Sequence, residues 1–485
     1  MLFNSIDFAV FLPVVFIIYW FIVNRRLSIQ NFFLVVASYF FYGWWDWRFL
    51  ALIVVSSSVD YIVGICLGKV QEKTKRKMLL IVSIAVNIGL LATFKYYNFF
   101  AESLVGAFTL FGKKIDIGRL QVVLPVGISF YTFQTLSYSI DIFRNKLKPT
   151  KDIIAFFAYV SFFPQLVAGP IERAGNLLPQ FLSNRNFNYE KSADGIRQIL
   201  WGLFKKMVVA DNLAALVDRV FNNPESFSSP ALLITVCLFS FQIYCDFSGY
   251  SDIAIGTARL FGFDLMRNFA YPYFSRNIGE FWRRWHISLT GWFRDYIYIP
   301  LGGSREGQVK SIRNIFIVFL ISGFWHGANW TFILWGGVHA CLFVPAFILK
   351  KNRLYTDIAA RERKIPSFKE SIRIIVTFLL VSMTWIFFRS ADLSGAVTYL
   401  KRLVFFWKTN KVDPGGQLFT SQIQMIVIPF LILMVGMEWL QRKKKHALEF
   451  SGEKYLYIRR FVYAALILGI YFFSVKNVGF IYFQF

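Results

Sequence analysis

The chain has 485 residues, of which 56% are hydrophobic and 19% aromatic, and its formal net charge is +25. Only 17% of the residues are charged, whereas soluble domains average ~25%. The Lys and Arg residues stand in short connections between long apolar runs, as the positive-inside rule describes. The composition therefore argues against a soluble nucleic-acid-binding protein and predicts one integral-membrane domain.

Apolar runs in the first part of the chain predict membrane-spanning helices. A helix needs ~20 residues to cross a bilayer core, and tilted or shorter spans also occur. The runs lie at residues 8–23, 29–43, 49–66, 78–94, 122–143 and 153–169. Basic connections follow the first, third and fifth runs, which predicts that the N-terminus is outside and these connections are cytoplasmic. No positive segment precedes the first run, which favours a retained span over a cleaved signal peptide.

The next part of the chain mixes charge with apolar residues. Residues 196–222 include Lys205 and Lys206, which predicts an amphipathic helix that lies at the membrane surface or is tilted, rather than a clean span. The run 230–262 contains Asp246 and Asp252, and carboxylates within an apolar helix are costly unless they are paired or hydrated. Two interpretations stay open: the two acids bond to Arg or to helix ends, or they line a catalytic cavity.

The remaining spans follow a segment that cannot itself cross the bilayer. Residues 264–313 are rich in Arg, Trp, Tyr and Phe, which is typical of interfacial or re-entrant segments. Spans resume at residues 314–331, 333–349, 372–388, 424–440 and 460–475. A basic linker from Lys350 to Lys369 and a polar stretch up to about residue 422 separate them. The total is about 11 transmembrane helices.

Three of the four histidines lie between residues 281 and 340. His326, in W-H-G-A-N-W, can accept a proton from a hydroxyl that attacks an acyl carbon, or it can be structural. His286 lies in a basic, aromatic segment and is either interfacial or functional. A continuous helix would place His339 roughly 140° from His326, which favours a supporting or packing role. His446 follows a basic run and is predicted to be a solvated loop residue.

Other chemistry is less well supported by the residues. Four arginines are candidates for binding the phosphates of an anionic donor or for anchoring to lipid: Arg283, Arg284, Arg294 and Arg305. The chain has no G-x-x-x-x-G-K-[ST], G-x-S-x-G or H-E-x-x-H, which argues against ATP-driven chemistry and against hydrolases of those types. Its four cysteines form no C-x-x-C, so neither a metal site nor a disulfide framework is expected.

The combined motifs resemble a known family. They are F-W-R-R-W-H-I-S-L (281–289), R-D-Y-I-Y-I-P-L-G-G (294–303), W-H-G-A-N-W-x-F-x-x-W-G-x-x-H (325–339), F-F-P-Q-L-V-A-G-P-I-E-R (162–173), Y-C-D-F-S-G-Y-S-D (244–252), the opening M-L-F-N-S and the aromatic C-terminus. Spread over nearly the whole chain, they resemble the membrane-bound O-acyltransferase (MBOAT) family, in its bacterial alginate O-acetyltransferase branch.

The resemblance implies a fold and a site. The fold is an all-α polytopic membrane protein, with interfacial or re-entrant helices and a ring of tilted helices around a central tunnel. One domain would cover residues 1–485, with its catalytic core at about 125–345. The catalytic histidines of the family fall on His326 and His286. Trp325, Asn329 and His339 would support them.

The resemblance also implies a reaction. An acetyl group from a cytosolic donor such as acetyl-CoA would cross the inner (cytoplasmic) membrane and reach an extracytoplasmic polysaccharide. A periplasmic or membrane-anchored acetyltransferase would be a partner, and no permanently bound cofactor or metal is expected. A carrier-protein donor stays open, as does another acceptor: peptidoglycan, teichoic acid, a lipid or a partner serine. A transporter or flippase is the alternative from another class, with Asp246, Asp252 and residues 264–313 as its path.

Overall fold

The computed structural model describes residues 1–121, 123–405, 422–450, 456–475 and 479–481. Residues 406–421, about half of the predicted polar stretch before residue 422, and the last four residues of the aromatic C-terminus lie outside this description. The described residues form helices and connections, with no β-strand among them. Their α-helices are α1 (Ile6–Ile17), α2 (Leu27–Asp46), α3 (Leu50–Lys69), α4 (Lys73–Leu91), α5 (Tyr97–Leu110), α6 (Ile128–Phe143), α7 (Ile153–Ser161), α8 (Phe163–Leu166), α9 (Ala174–Phe181), α10 (Tyr189–Leu203), α11 (Asp211–Asn222), α12 (Ser229–Leu260), α13 (Ile278–Arg284), α14 (Ile287–Phe293), α15 (Gln308–His326), α16 (Trp330–Ile348), α17 (Phe368–Arg389), α18 (Leu393–Val404), α19 (Gln422–Leu440) and α20 (Leu456–Phe473).

Shorter helical segments extend or join these helices. The π-helical segments in the described ranges are Ile18–Ile22, Ala92–Tyr96, Phe204–Ala210 and Arg294–Tyr298. The 3-10 turns are Trp47–Phe49, Pro224–Ser226 and Pro272–Phe274.

Several helical stretches are suited to a membrane. Within the described ranges, six are long and apolar enough to cross one: Leu27–Lys69, Lys73–Leu110, Ser229–Leu260, Trp330–Ile348, Phe368–Arg389 and Leu456–Phe473. The first contains two helices, α2 and α3, of 20 residues each. The shorter apolar helices are Ile6–Ile22 and Val427–Leu440. The all-helical, multi-pass class is confirmed, while the number of 11 spans and the ring stay predictions.

The predicted span 153–169 is not one helix. α7 has nine residues and ends at Ser161, and Phe162, with φ −51° and ψ 107°, breaks the helix before α8. Nine residues of α-helix extend only about 14 Å, whereas the hydrocarbon core is ~30 Å thick. The pattern missed this break because the residues on both sides of it are apolar and buried.

The described chain divides into two compact units. The first comprises Met1–Ser192 with Thr257–Leu265, and the second comprises Ala193–Gly256 with Met266–Phe485. In the first unit, α3 packs against α4 and α6. Asp60 of α3 is buried there and accepts hydrogen bonds from Ser83, Asn87 and Ser139 on these two neighbours. A buried carboxylate needs such donors, so this cluster holds the three helices in register.

In the second unit, two glycines allow α15 and α16 to approach closely. A Cβ atom added to Gly323 would lie 2.2 Å from the carbonyl oxygen of Phe332, and one added to Gly336 would lie 2.2 Å from that of Phe319. Small residues at such contacts are how membrane helices bring their backbones together. The contact sets the position of His326, which is the last residue of α15.

The prediction that the basic residues of segment 196–222 are exposed at the membrane surface is wrong. The side chains of Lys205 and Lys206 lie in the π-helical segment and are only 2% and 4% exposed. Lys205 Nζ lies 2.7 Å from Asp252 Oδ2, and Lys206 Nζ lies 2.7 Å from Asp246 Oδ1. Of the two interpretations of these acids, the ion pairs agree with the structural one, although the partners are lysines rather than arginines or helix ends.

We expect Gly336→Ala to destabilise the protein, because the new methyl group would meet backbone rather than a flexible side chain. The free energy of unfolding should fall by roughly 2 kcal/mol or more, which thermal unfolding of the detergent-purified protein measures. Gly337→Ala is the matched control, since its Cβ would make an ordinary contact, 3.7 Å from Leu320. Equal melting temperatures for the two variants would contradict the close helix contact.

Candidate active site

Two histidines that are far apart in the sequence lie close together in the second unit. His286 precedes the first turn of α14, and His326 ends α15. Their ring centroids are 6.3 Å apart, and their planes are inclined by 61°. His286 is 1% exposed and His326 is 4% exposed. The structure therefore brings together the two residues that the sequence predicted as catalytic.

Asn268 determines which nitrogen of His286 carries a proton. Its Oδ1 accepts a hydrogen bond from the backbone N–H of Ser288 at 3.4 Å and lies 2.9 Å from the Ser288 hydroxyl. A backbone N–H can only donate, so the side-chain atom of Asn268 that faces it is the oxygen. That oxygen lies 3.1 Å from Nδ1 of His286, and Nδ1 must therefore be the protonated nitrogen.

The other imidazole nitrogen of His286 is then a bare acceptor. Nε2 is buried and has no hydrogen-bond partner among the residues that the structure describes. Burial lowers the pKa of His286 to about 3, so the ring is neutral at physiological pH. Nε2 therefore presents a lone pair within a buried site.

The backbone at His286 is held in an unusual conformation. Its φ of +44° lies in the left-handed region, which non-glycine residues rarely adopt. The N–H of Ile287 donates to the backbone oxygen of Asn268 at 2.9 Å, so Asn268 holds both the ring and the turn. Strain of this kind persists where the surrounding structure enforces it, which is common at functional sites.

Aromatic rings enclose His326. The ring centroids of Trp325, Trp335 and Phe388 lie 5.0, 5.2 and 5.5 Å from that of His326. Trp325 is also 6.1 Å from His286, so it borders both histidines as predicted. These rings exclude water, and electrostatic interactions in such a site are stronger than in solution.

His339 lies one layer behind this pair. The ring of Trp335 stands between the two imidazoles, 4.8 Å from His339 and 5.2 Å from His326. Nε2 of His339 lies 2.9 Å from the hydroxyl of Thr384, which donates to the carbonyl oxygen of Val381 at 2.6 Å. Because that hydroxyl has one hydrogen, His339 must donate from Nε2. Its contacts fit the supporting role predicted for it.

Asn329 fixes the start of α16. Its Oδ1 accepts from the N–H of Thr331 at 3.0 Å, and its Nδ2 donates to the carbonyl oxygen of Ala391 at 2.8 Å. Both ends of the amide are engaged, so Asn329 holds the turn that follows His326.

The four predicted donor-binding arginines have different surroundings. Arg283 donates to the carbonyl oxygens of Asn352 and Tyr355 in the basic linker. Arg284 pairs with Glu280 at 2.7 Å and also donates to backbone oxygens. These two therefore hold the linker against α13. The other two are nearer to solvent: Arg294 pairs with Asp295, and Arg305 is exposed.

His446 corrects another prediction. It is 2% exposed, and its Nε2 lies 3.0 Å from Asp194 Oδ1, so the prediction of a solvated loop residue is wrong. The basic run before it misled the prediction, because Lys443 and Lys445 are exposed whereas Arg442 and His446 are buried. Sequence reasoning also missed Asn268 and Thr384, since a lone Asn or Thr has no local pattern that reveals a distant partner.

No group of three or more His, Cys, Asp and Glu side chains in the described part of the chain is arranged to hold a metal ion. The centre consists of the imidazoles of His286, which is neutral, and His326 within an aromatic enclosure.

The sequence pattern of the membrane-bound O-acyltransferase family matches residues 39–388. Together with the helical spans and the apposed histidines, this match defines the class. The chain belongs to the membrane-bound O-acyltransferase family and is an acyltransferase.

Proteins similar to this chain include acyltransferases with different named acceptors. The chain is 38% identical to "Probable alginate O-acetylase AlgI" of Pseudomonas putida over 437 residues, which cover 89% of this chain and 86% of the relative. It is 36% identical to "Peptidoglycan O-acetyltransferase" of Helicobacter pylori, over 83% of this chain and 80% of the relative. A "Teichoic acid D-alanyltransferase" of Streptococcus thermophilus is 28% identical over 54% of this chain and 68% of the relative.

We expect Thr384→Val to destabilise the protein by roughly 1–3 kcal/mol, because the Nε2–H of His339 would be left buried without an acceptor. Adding His339→Phe should restore part of the loss, since both polar partners are then apolar. Thermal unfolding of the two single variants and the double variant measures the coupling. Thr377→Val, on the same helix, is the control. Additive effects would mean that this hydrogen bond is not formed.

Proposed function

We propose that this protein transfers an acetyl group from a cytosolic thioester to a hydroxyl group of an extracytoplasmic polysaccharide. The observation that carries the proposal is the pair of buried histidines, 6.3 Å apart, with an unengaged Nε2 on His286. Family membership supports acyl transfer, and the names of the alginate and peptidoglycan relatives support acetyl as the group and a polysaccharide as the acceptor.

In the proposed reaction, His326 is the general base. It takes the proton of the acceptor hydroxyl as that oxygen attacks the thioester carbonyl carbon. The tetrahedral intermediate then collapses, the C–S bond breaks, and the thiolate leaves. The proton passes from His326 to the sulfur, so the products are the ester and the free thiol.

The protonation state of His286 limits which substrate group it can position in this reaction. A thioester has no hydrogen to donate, whereas a hydroxyl does. Because the attacking hydroxyl gives its single hydrogen to His326, the bare Nε2 of His286 suits a hydrogen bond from a neighbouring hydroxyl of the acceptor sugar rather than the positioning of the donor. Asn268 acts through His286 and is a positioning residue.

We propose acetyl-CoA as the donor and the inner membrane as the location. The more exposed members of the arginine group, Arg305 and the Asp295-paired Arg294, are the better candidates to meet its phosphates, since Arg283 and Arg284 hold the linker. A periplasmic or membrane-anchored acetyltransferase would receive or deliver the acetyl group. The alternative of a transporter or flippase is less well supported, because Asp246 and Asp252, which were to line its path, are neutralised by lysines.

We expect His326→Ala to reduce acetyl transfer by about 10²–10⁴-fold, as the loss of a general base does. The measurement is O-acetylation of surface glycan in cells with matched membrane abundance, together with release of label from radiolabelled acetyl-CoA by the purified protein. Undiminished acetylation would end the proposal. An intact thioester in the wild-type assay would favour transport instead.

Two substitutions at Asn268 test the positioning of His286. Asn268→Leu removes the acceptor for the Nδ1 proton, so we expect a weaker apparent affinity for the glycan acceptor and a lower rate. Asn268→Asp keeps an acceptor and adds negative charge, which raises the pKa of His286. Protonated His286 cannot accept a hydrogen bond, so the acidic limb of the pH–rate profile should move to higher pH. An unchanged profile in Asn268→Asp and full activity in Asn268→Leu would contradict this role.

A further inference from the structure

Two residues close to the C-terminus, Phe480 and Ile481, are buried in the second unit although they lie outside its α-helices. They come several positions after α20, and the mechanism above does not use them. A buried segment outside a helix must find partners for its backbone groups elsewhere in the protein. Its partners therefore show what holds it in place.

A buried ion pair holds the backbone on both sides of Phe480. The N–H of Ile481 donates to Asp246 Oδ2 at 2.7 Å, and the carbonyl oxygen of Gly479 accepts from Lys206 Nζ at 3.3 Å. Lys206 and Asp246 also pair with each other at 2.7 Å. Hydrogen bonds to ionised groups are among the stronger ones in proteins. The backbone that carries the Phe480 ring is therefore held at two points.

The ring of Phe480 packs on α12. Its centroid lies 4.8 Å from that of Tyr250 and 6.0 Å from that of Phe247, whose ring plane is inclined to it by 62°. Positions 247 and 250 are three residues apart, so they lie on the same face of the helix. Phe480 is 1% exposed and covers this face.

Phe247 in turn contacts His286. Their ring centroids are 4.7 Å apart and their planes are inclined by 81°, which is an edge-to-face arrangement. Phe247 is fully buried. A continuous row of three rings therefore leads from Phe480 through Phe247 to the imidazole of His286.

This row complements the hydrogen bond from His286 to Asn268. That bond engages one atom of the imidazole, Nδ1, and by itself leaves the ring free to pivot about this atom. The edge-to-face contact with Phe247 limits the pivot. Protein interiors are close-packed, and the loss of a ring leaves a cavity into which its neighbours can move. Without the ring of Phe480, Phe247 could move away from His286.

We propose that Phe480 is a positioning residue for His286 and that it acts through Phe247. Its effect on the acceptor rests on the proposed function, in which Nε2 of His286 receives a hydrogen bond from the acceptor sugar. Its effect on the packing of His286 does not depend on that function, so the two can be tested separately.

Chemical modification of histidine tests the packing without any assumption about the reaction. Diethylpyrocarbonate acylates an accessible neutral imidazole, and mass spectrometry of the digested protein locates the product. The full-length wild type in detergent micelles is compared with Phe480→Ala, with the conservative Phe480→Leu and with the control Phe472→Ala. The side chain of Phe472, on α20, is 67% exposed.

We expect modification of His286 to be roughly threefold or more faster in Phe480→Ala than in the wild type and the control, and intermediate in Phe480→Leu. His339, which is 0% exposed, reports general unfolding, and its modification should not change. An unchanged rate at His286 would overturn the proposal. Parallel increases at both histidines would also overturn it, because they would show general destabilisation.

Steady-state kinetics with acetyl-CoA and oligomannuronate test the consequence for the reaction. Phe480→Ala should raise the KM for oligomannuronate roughly three- to tenfold, as the loss of one hydrogen bond does, and leave the KM for acetyl-CoA unchanged. Phe480→Leu should recover part of this loss. A lower kcat with both KM values unchanged would mean only less active protein and would overturn the positioning role. A wild type that leaves acetyl-CoA intact would refute the proposed function, while histidine modification would still decide whether Phe480 holds His286.

Discussion

The hydrogen bond between Asn268 and His286 is the interaction on which the site depends. It ties the start of α14 to the irregular segment before α13, and it selects one tautomer of a buried imidazole. Without it, the ring could turn and present an N–H where a lone pair is needed. Burial then removes the competing charged state, because desolvation disfavours an imidazolium. A single amide therefore determines both the orientation of the imidazole and the hydrogen-bonding character of its Nε2.

Several charged side chains near the site are neutralised or hydrogen-bonded by other groups of the protein rather than by solvent. Lys205 and Lys206 neutralise acids on α12, and Arg283 and Arg284 take backbone oxygens of the linker. A buried ion needs a partner, since its desolvation costs several kcal/mol. Residues that resemble anion-binding groups, such as Arg283 and Arg284, or translocation groups, such as Asp246 and Asp252, therefore already have partners within the protein.

The helix hairpin of α15 and α16 shows how packing sets the chemistry. Gly323 and Gly336 let the two backbones approach, and the aromatic layer of Trp325, Trp335 and Phe388 then encloses His326. The same layer separates His326 from His339, so two histidines of one hairpin have different surroundings. The sequence argument assumed one continuous helix through both residues, whereas His326 ends α15 and His339 lies in α16, so the packing of the hairpin and not helical periodicity sets their separation.

The sequence by itself determined the membrane class and the helical fold, because apolar run length is a local property of the chain, and its resemblance to a known family pointed to His286 and His326. It did not reveal the break at Phe162, the inward turn of Lys205, Lys206 and His446, or the role of Asn268. Those features depend on which residues meet across elements distant in sequence. An apolar residue at a helix break looks like one within a helix, and a lysine that pairs with a buried acid looks like one at a membrane surface. Only the tertiary structure decides between them, because the partner that satisfies a buried polar group lies elsewhere in the chain.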